Sequence, residues 1–358
     1  MFLGKVRKFF IHLMAGANIA SIIVMLLIGY SGRLNPADHP ILSCMGLFFP
    51  ILLLINFLFL LFWVLVRMRL MIIPILGFLV CYQPLRTYLP LHFSSEDSAE
   101  ATLKVLSYNV KDFDIGKNDD RDVHKASQYI LDSDADIVCL QEVVLGNPYL
   151  TPALKAYPWK TDMPGDRYGG LVVLSKYPIL KKKRIPYPSQ GNLSMAVTID
   201  VDGEKVIVIN NHFQTSGLTI EDKKDFSDMV GGGKRQEIHR ESKHLLTILG
   251  RSAGKRAGQV DKVAAYVREH QENPLLLCGD FNETPISYSH ETFAKLLTDC
   301  YVTTGNGVGW SYNSNRIHVR IDNIFCSSHW QPLKCEIDTK IHASDHYPII
   351  CYLKKHDN

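Results

Sequence analysis

Ile41 to Val66 runs for 26 residues without a charged side chain. As a helix that stretch is about 39 Å long, enough to cross a bilayer core of ~30 Å with some tilt. Two other apolar runs flank it. Phe9 to Tyr30 is mostly apolar, with His12 and Asn18 as polar interruptions, and Leu70 to Tyr82 is shorter, broken by Pro74 and extendable through Leu91. A signal peptide followed by a buried core helix fits poorly, because no small-residue cleavage site follows the first run and a stronger apolar span comes next. The pattern predicts a membrane region over residues 1–92 with about three transmembrane helices, roughly 9–30, 41–66 and 70–90. A linker over 93–102 and a separate domain over 103–358 follow.

Charge orients this region. Residues 1–92 carry Lys5, Arg7, Lys8, Arg33, Arg67, Arg69 and Arg86 against Asp38 alone, a balance of +6, so the rest of the chain holds −3 of the overall +3. Lys5, Arg7 and Lys8 precede the first run, and Arg67 and Arg69 separate the second from the third. The positive-inside rule assigns both groups to the cytoplasm. Three crossings then place everything after Leu91 on the non-cytoplasmic side; two crossings would leave it in the cytoplasm. Of eight cysteines, Cys44 and Cys81 lie in apolar runs and Cys139 and Cys278 in predicted buried strands, where the thiol packs as a small apolar group. The other four show no CxxC spacing, which argues against metal or redox chemistry through sulfur.

Beyond the polar stretch Ser94 to Glu100 the chain alternates between strand and helix signals. Strands are predicted over Leu103 to Val110, Asp136 to Gln141, Gly170 to Ser175, Leu193 to Val201, Glu204 to Asn210, Pro274 to Gly279, Ile321 to Ser327 and Pro348 to Leu353. Helical spacing covers Val123 to Leu131, Glu237 to Leu249 and Val260 to Glu269. Asp202-Gly203 between two β-rich runs signals a hairpin, and a hairpin among strand–helix units argues for mixed sheets covered by helices. Residues 214–258 form a long excursion rich in Gly, Lys and Arg. Within it Gly231-Gly232-Gly233-Lys234 lacks the spacing of a phosphate-binding loop and reads as a flexible hinge.

The apolar strand Pro274 to Cys278 ends in Gly279-Asp280-Phe281-Asn282. Asp280 and Asn282 lie two residues apart, so strand alternation points both side chains the same way. A carboxylate that takes a proton beside an amide that adds no charge suits a phosphoryl site. Alone, this string also reads as a tight turn. Four more polar strand ends accompany it: Ser107-Tyr108-Asn109, Gln141-Glu142, Asn210-Asn211-His212, and the pair Arg320-Ile321-Asp322-Asn323 with Ser344-Asp345-His346. Hydrolysis of a phosphoester needs an oxygen-rich metal site, a positioned water and cationic donors around phosphorus, and Glu142, Asp280, Asn282, His212 and His346 supply those parts.

Taken together, these motifs over residues 103–355 resemble the endonuclease/exonuclease/phosphatase superfamily of Mg²⁺-dependent, DNase I-like phosphoesterases. The resemblance implies an α/β fold, a four-layer α/β/β/α sandwich of two mixed sheets, here preceded by N-terminal transmembrane helices. It also implies roles. Glu142 is the main Mg²⁺ ligand (Mn²⁺ being an alternative), with Asn109 beside the metal and Asp345 as a further ligand or neighbour. Asp280 orients or deprotonates water, Asn282 holds a phosphate oxygen, His212 and His346 flank the phosphate, and Asp322 pairs with His346. Some nuclease branches carry a carboxylate two residues after the first-strand Asn. Here that position is Lys111, which favours a single-metal site. Tyr168, Lys176 and Asn192 are weaker substrate-contact candidates, and His124, His239 and His244 read as surface residues.

The expected activity is a membrane-anchored hydrolase acting on a lipid head group, a small phosphoester or nucleic acid, with no obligate protein partner evident. The −3 balance of the domain argues mildly against tight DNA binding. Lys181 to Arg184 and Arg251 to Arg256 are basic runs that otherwise read as a solvated strand edge and a loop. A non-catalytic binding module on the same scaffold, or a transport component, finds less support: the polar set is intact, and the spans hold no buried ionisable pairs.

Overall fold

In the computed structural model, residues 2–92, 98–114, 120–165, 169–189, 191–219, 221–222, 235–314 and 317–356 are described. The N-terminal region comprises α1 (Phe2–Gly29), α2 (Pro40–Cys44), α3 (Phe49–Val66), α4 (Ile72–Val80) and α5 (Tyr82–Tyr88). Two helical stretches, Gly4–Arg33 and Pro40–Val66, are long and apolar enough to cross a membrane; Met68–Val80 with Tyr82–Tyr88, bent by 69°, would make a third. The bend has a local cause. Pro84 cannot donate to the carbonyl of Val80, four residues back, and that oxygen instead accepts from the Tyr30 hydroxyl at 2.7 Å. Asn18, an interruption in the sequence pattern, is buried glue: its amide donates to Asn56 Oδ1 at 3.1 Å, and its own oxygen accepts from Trp63 Nε1 at 3.0 Å. Such interhelical bonds hold helices together where lipid removes the hydrophobic drive between them.

The second part is built from two six-stranded sheets. The first has the order β13-β14-β1-β2-β4-β3 and the second β5-β6-β7-β8-β12-β9. Their strands are β1 (Leu103–Asn109), β2 (Ile137–Gln141), β3 (Trp159–Pro164), β4 (Gly170–Ser175), β5 (Ile179–Arg184), β6 (Leu193–Val201), β7 (Glu204–His212), β8 (Leu275–Asp280), β9 (Thr298–Asp299), β12 (Asp322–Cys326), β13 (Trp330–Ile337) and β14 (Ile349–Lys355). A separate hairpin pairs β10 (Tyr312–Ser314) with β11 (Ile317–Val319). β1 runs parallel to β2 and β7 to β8, while the other neighbours are antiparallel, so both sheets are mixed.

Strand alternation explains the unbroken apolar runs. In β2, Ile137 and Cys139 enter the core between the sheets with Val208, Leu276 and Cys278. Val138 and Leu140 turn the other way, onto Ala126 and Ile130 of α6 (Asp120–Asp132) and Ala153 of α7 (Thr151–Ala156). The second sheet is covered likewise. Val260, Val263 and Val267 of α8 (Arg235–Glu269) and Phe293 of α9 (Tyr288–Ala294) pack on Ile207, Ile209, Leu275 and Leu277. The result is the four-layer helix–sheet–sheet–helix sandwich that the resemblance implied. A buried polar bridge ties the sheets beneath the strand ends: Gln141 Nε2 donates to Asn210 Oδ1 at 2.7 Å.

Two expectations change. Glu237 to Leu249 and Val260 to Glu269 belong to one continuous helix, α8, so Arg251 to Arg256 is helical. Gly250 and Gly254 are not breakers here. They let the N-terminal helical region approach, with Pro40 Cβ 3.0 Å from a Cβ built at Gly250. The edge strands β3, β9 and β13 went unpredicted, whereas Lys181 to Arg184, read as a solvated strand edge, belongs to β5. Tyr168, Gly231 to Lys234, and most of the linker start lie outside the described residues, as do the side chains of His124 and His239.

Candidate active site

Register assembles the site. Asn109 closes β1 opposite Gln141 of β2, which puts Glu142 immediately beyond. In the other sheet His212 pairs with Asp280 across β7 and β8, and Asp280 pairs with Asp322 across β8 and β12. Three adjacent strands therefore deliver His212, Asp280 and Asp322 in one row. Ser344-Asp345-His346, just before β14, closes the row from the first sheet; Ser344 Oγ donates to the carbonyl of Asn109 at 2.8 Å.

Asp280 is the centre. Its Oδ2 lies 3.8 Å from His212 Nε2 and 3.8 Å from His346 Nε2, and accepts from Asn109 Nδ2 at 3.2 Å. Asn282 grips the same carboxylate, donating its backbone N–H to Oδ1 at 2.8 Å and its Nδ2 to Oδ2 at 3.1 Å. His346 presents Nδ1 to Asp322 Oδ2 at 2.8 Å, which fixes the ring with Nε2 facing Asp280. Ser311 Oγ accepts from the Asp322 N–H at 2.9 Å and steadies that strand end. Glu142 Oε1 accepts from Asn109 Nδ2 at 3.0 Å and lies 3.4 Å from His212 Nε2.

Backbone strain marks both key turns. Glu142 and Asn282 adopt φ of +59° and +53°, the left-handed region that side chains with a Cβ seldom occupy. Gly169, itself at φ +66°, makes room for Glu142, since a Cβ there would stand 2.6 Å from the Glu142 carbonyl carbon.

The electrostatics divide the roles. Burial pushes the Asp280 carboxyl up to about 6, with Asp322 adding to the rise and His346, His212 and the Asn282 N–H opposing it. For His346, burial works against the charged ring. Asp322 and Asp280 outweigh it and hold the imidazole well above its ordinary value. Two groups of ligand atoms, Glu142–His212–Asp280 and Asp280–Asp322–His346, each lie within 4.8 Å of one another among the described residues. The first group carries two carboxylates and reaches solvent through half-buried Glu142, so its donor chemistry fits a hard divalent cation.

All eight residues singled out for catalysis or metal binding meet at this end of the sandwich. Two of them have further partners. Asn109 turns its nitrogen toward the carboxylates, while its Oδ1 accepts from Lys111 N at 3.0 Å. Asp345 Oδ2 stands 3.2 Å from Lys111 Nζ. Asn192 lies close by, donating to the carbonyl of Phe213 at 2.9 Å. Lys176 does not: it follows β4 at the opposite end and pairs with Asp134 at 2.8 Å. His244 is a surface residue paired with Asp222 at 3.2 Å. Sequence reasoning missed Gly169, Ser311 and the Gln141–Asn210 bridge, none of which carries a local signal.

Comparison with known proteins agrees with this fold. No curated protein matches the chain. Residues 7–88 match a model described as "Domain of unknown function (DUF8431)". Among solved structures, an endonuclease/exonuclease/phosphatase from Beutenbergia cavernae is 18% identical with a TM-score of 0.51, covering 71% of this chain and 71% of its own. The human nocturnin catalytic domain with bound sulfate is 14% identical with a TM-score of 0.50, covering 71% of this chain and 94% of its own. D. rerio TDP2 complexed with a single-strand DNA product is 17% identical with a TM-score of 0.50, covering 71% and 99%. These likenesses establish the fold. Residues 106–346 match the family described as "Endonuclease/Exonuclease/phosphatase family", and the chain therefore belongs to that family of phosphoester hydrolases.

Proposed function

We propose that this protein is a membrane-anchored, Mg²⁺-dependent phosphoesterase that cleaves its substrate with an activated water. The observation that carries this reading is the Asp280 carboxylate, buried and faced by His212, His346 and Asn282 at once. Asp280 takes the proton of the attacking water. His346, kept cationic by Asp322, and His212 donate to the phosphoryl oxygens as charge builds there. Asn282 holds Asp280 and reaches a further phosphate oxygen. Glu142 would hold the cation, which would supply Lewis-acid polarisation of the phosphoryl oxygen and ease departure of the leaving group. Asn109 steadies the Glu142 carboxylate, and Asp345 shares its charge with Lys111.

Anchoring is supported by the two long apolar helices. A topology with the hydrolase outside the cytoplasm is supported by the way the bundle meets the domain. Met25 and Ile28 near the end of α1 and Phe49 at the start of α3 pack with Ile286 of the catalytic part. Lys5, Arg7, Lys8, Arg67 and Arg69 therefore share the far end, the end the positive-inside rule assigns to the cytoplasm.

The test is to purify the full chain in detergent with Mg²⁺. Plasmid DNA, single-stranded RNA, sphingomyelin, phosphoinositides and a chromogenic phosphodiester form the substrate panel. Hydrolysis should vanish with chelator and fall at least a hundredfold in His346→Ala; turnover that survives both sinks the mechanism. A nucleic-acid substrate is the second reading, favoured by the exposed basic edge Lys181 to Arg184, whose Arg184 end lies toward the site by its pairing with Met195. It predicts that cleavage weakens steeply as salt rises.

The pH profile adds a sharper check. Activity should rise with pH through about 6 as Asp280 loses its proton, then persist until His346 loses its own. Asp322→Asn removes a charge that raises both groups, so both limbs should move to lower pH. The alkaline limb should move further, because Asp322 also bonds Nδ1 directly. Limbs that stay in place in this variant would separate Asp322 from the dyad.

A further inference from the structure

We propose that the membrane bundle is a working part of the active site: residues 31–46, between α1 and α3 and including α2, clamp the turn that carries Asn282, and Glu283 and Arg256 are positioning residues within that clamp. The inference rests on the phosphoesterase reading above.

The chain leaving Asn282 is held at every step. Glu283 Oε1 lies 3.6 Å from Arg256 Nη1 of α8, with both side chains buried at 9% and 3% exposure. Its other oxygen accepts from Ser289 N at 3.2 Å and from the Ser289 hydroxyl. Ser287 N donates to the Thr284 carbonyl at 3.2 Å, and Ser287 caps α9. Ile286 then leaves the catalytic domain altogether and enters the bundle core, against Met25, Ile28, Phe49, Cys81 and Tyr88.

The bundle side is fitted to this turn by missing side chains. A Cβ at Gly32 would stand 2.7 Å from the Ser287 carbonyl oxygen and 2.9 Å from that of Ile286. One at Gly46 would stand 2.9 Å from Thr284 Oγ1. Arg33 adds an ion pair to Glu291 of α9 at 3.4 Å. Segment 31–46 thus packs on the residues that follow Glu283, and the Arg256–Glu283 pair lies buried beneath the same turn, where two charges attract more strongly than in water. A fixed Glu283 matters because Asn282 sits at φ +53°, a conformation that persists only when its surroundings over-determine it. Asn282 in turn positions Asp280 through two hydrogen bonds.

The experiment uses the full chain in detergent, with a chromogenic phosphodiester for kinetics and amide hydrogen exchange on the 281–287 segment. Gly32→Ala adds one methyl group that must displace backbone. It should lower kcat at least fivefold with KM held within about twofold, and speed exchange of the segment at least tenfold. Gly16→Ala, which meets nothing within 4 Å, should change neither. Glu283→Gln, nearly identical in shape, should reproduce both effects, and Arg256→Lys should retain more kcat than Arg256→Ala. If Gly32→Ala does not fold, Glu283→Gln decides the matter. Wild-type kcat and exchange in folded Glu283→Gln overturn the clamp. An inactive wild-type enzyme would instead remove the phosphoesterase reading, and exchange would still decide whether segment 31–46 holds the turn.

Discussion

Asp280→Asn is expected to lower kcat by about a thousandfold while leaving the fold intact, the range set by removing a positioned general base. The asparagine fills the same space and its oxygen can still accept from the Asn282 N–H, while the bonds Oδ2 accepts from the Asn109 and Asn282 amides are lost. What disappears is the proton acceptor. The stability effect carries its own sign. A carboxyl raised from 3.8 to about 6 binds more protons folded than unfolded, so its contribution to stability falls as pH rises through that window. The amide escapes this cost, and Asp280→Asn should melt no lower than wild type at pH 8. Steady-state kinetics beside thermal unfolding in detergent measures both quantities. Residual activity above a tenth of wild type would remove Asp280 from the base role.

Gly279→Ala should produce a larger stability loss than alanine at any other described glycine. Gly279 sits at φ +127° in β8, directly opposite Asn211 of the parallel strand β7, and a Cβ would fall 2.0 Å from the Asn211 carbonyl oxygen. No rotamer relieves a clash between a Cβ and a neighbouring backbone. The strands must separate or β8 must slip, and either movement takes Asp280 out of register with His212. Such a change belongs with the exceptional single substitutions, above ~4 kcal/mol. For a domain of this size that corresponds to a fall in Tm of roughly 10 °C or more. A variant that melts with wild type would show that the β7–β8 pairing is not what fixes the site.

The sequence made the centre of each sheet readable and left the rims dark. β2, β4 and β8 are buried on both faces, between the other sheet and a layer of helices, so nearly every residue is apolar and the run stands out. β5 is an exposed edge, and Ile179 to Arg184 reads as a polar stretch because water satisfies one of its sides. α8 appeared as two helices because glycine is a poor helix former in isolation. Gly250 and Gly254 are tolerated there because Pro40 and Ala37 pack over them, partners about two hundred residues distant that no local window can see. The catalytic set was legible because strand ends concentrate polar residues in chain order. Its supports, Ser311, Gly169 and the Arg256–Glu283 pair, were not, since each acts through a contact made across the fold.

The pairing of β1 with β14 ties the two ends of the catalytic fold together. Leu103 of the first catalytic strand lies opposite Leu353 of the last. His346 and Ser344 stand on the segment that leads into β14, and Ser344 is bonded to the end of β1. A fragment cut before that segment would hold Glu142, His212, Asp280 and Asp322 without the imidazole that completes them, and would leave β1 with β2 as its one neighbour in the sheet.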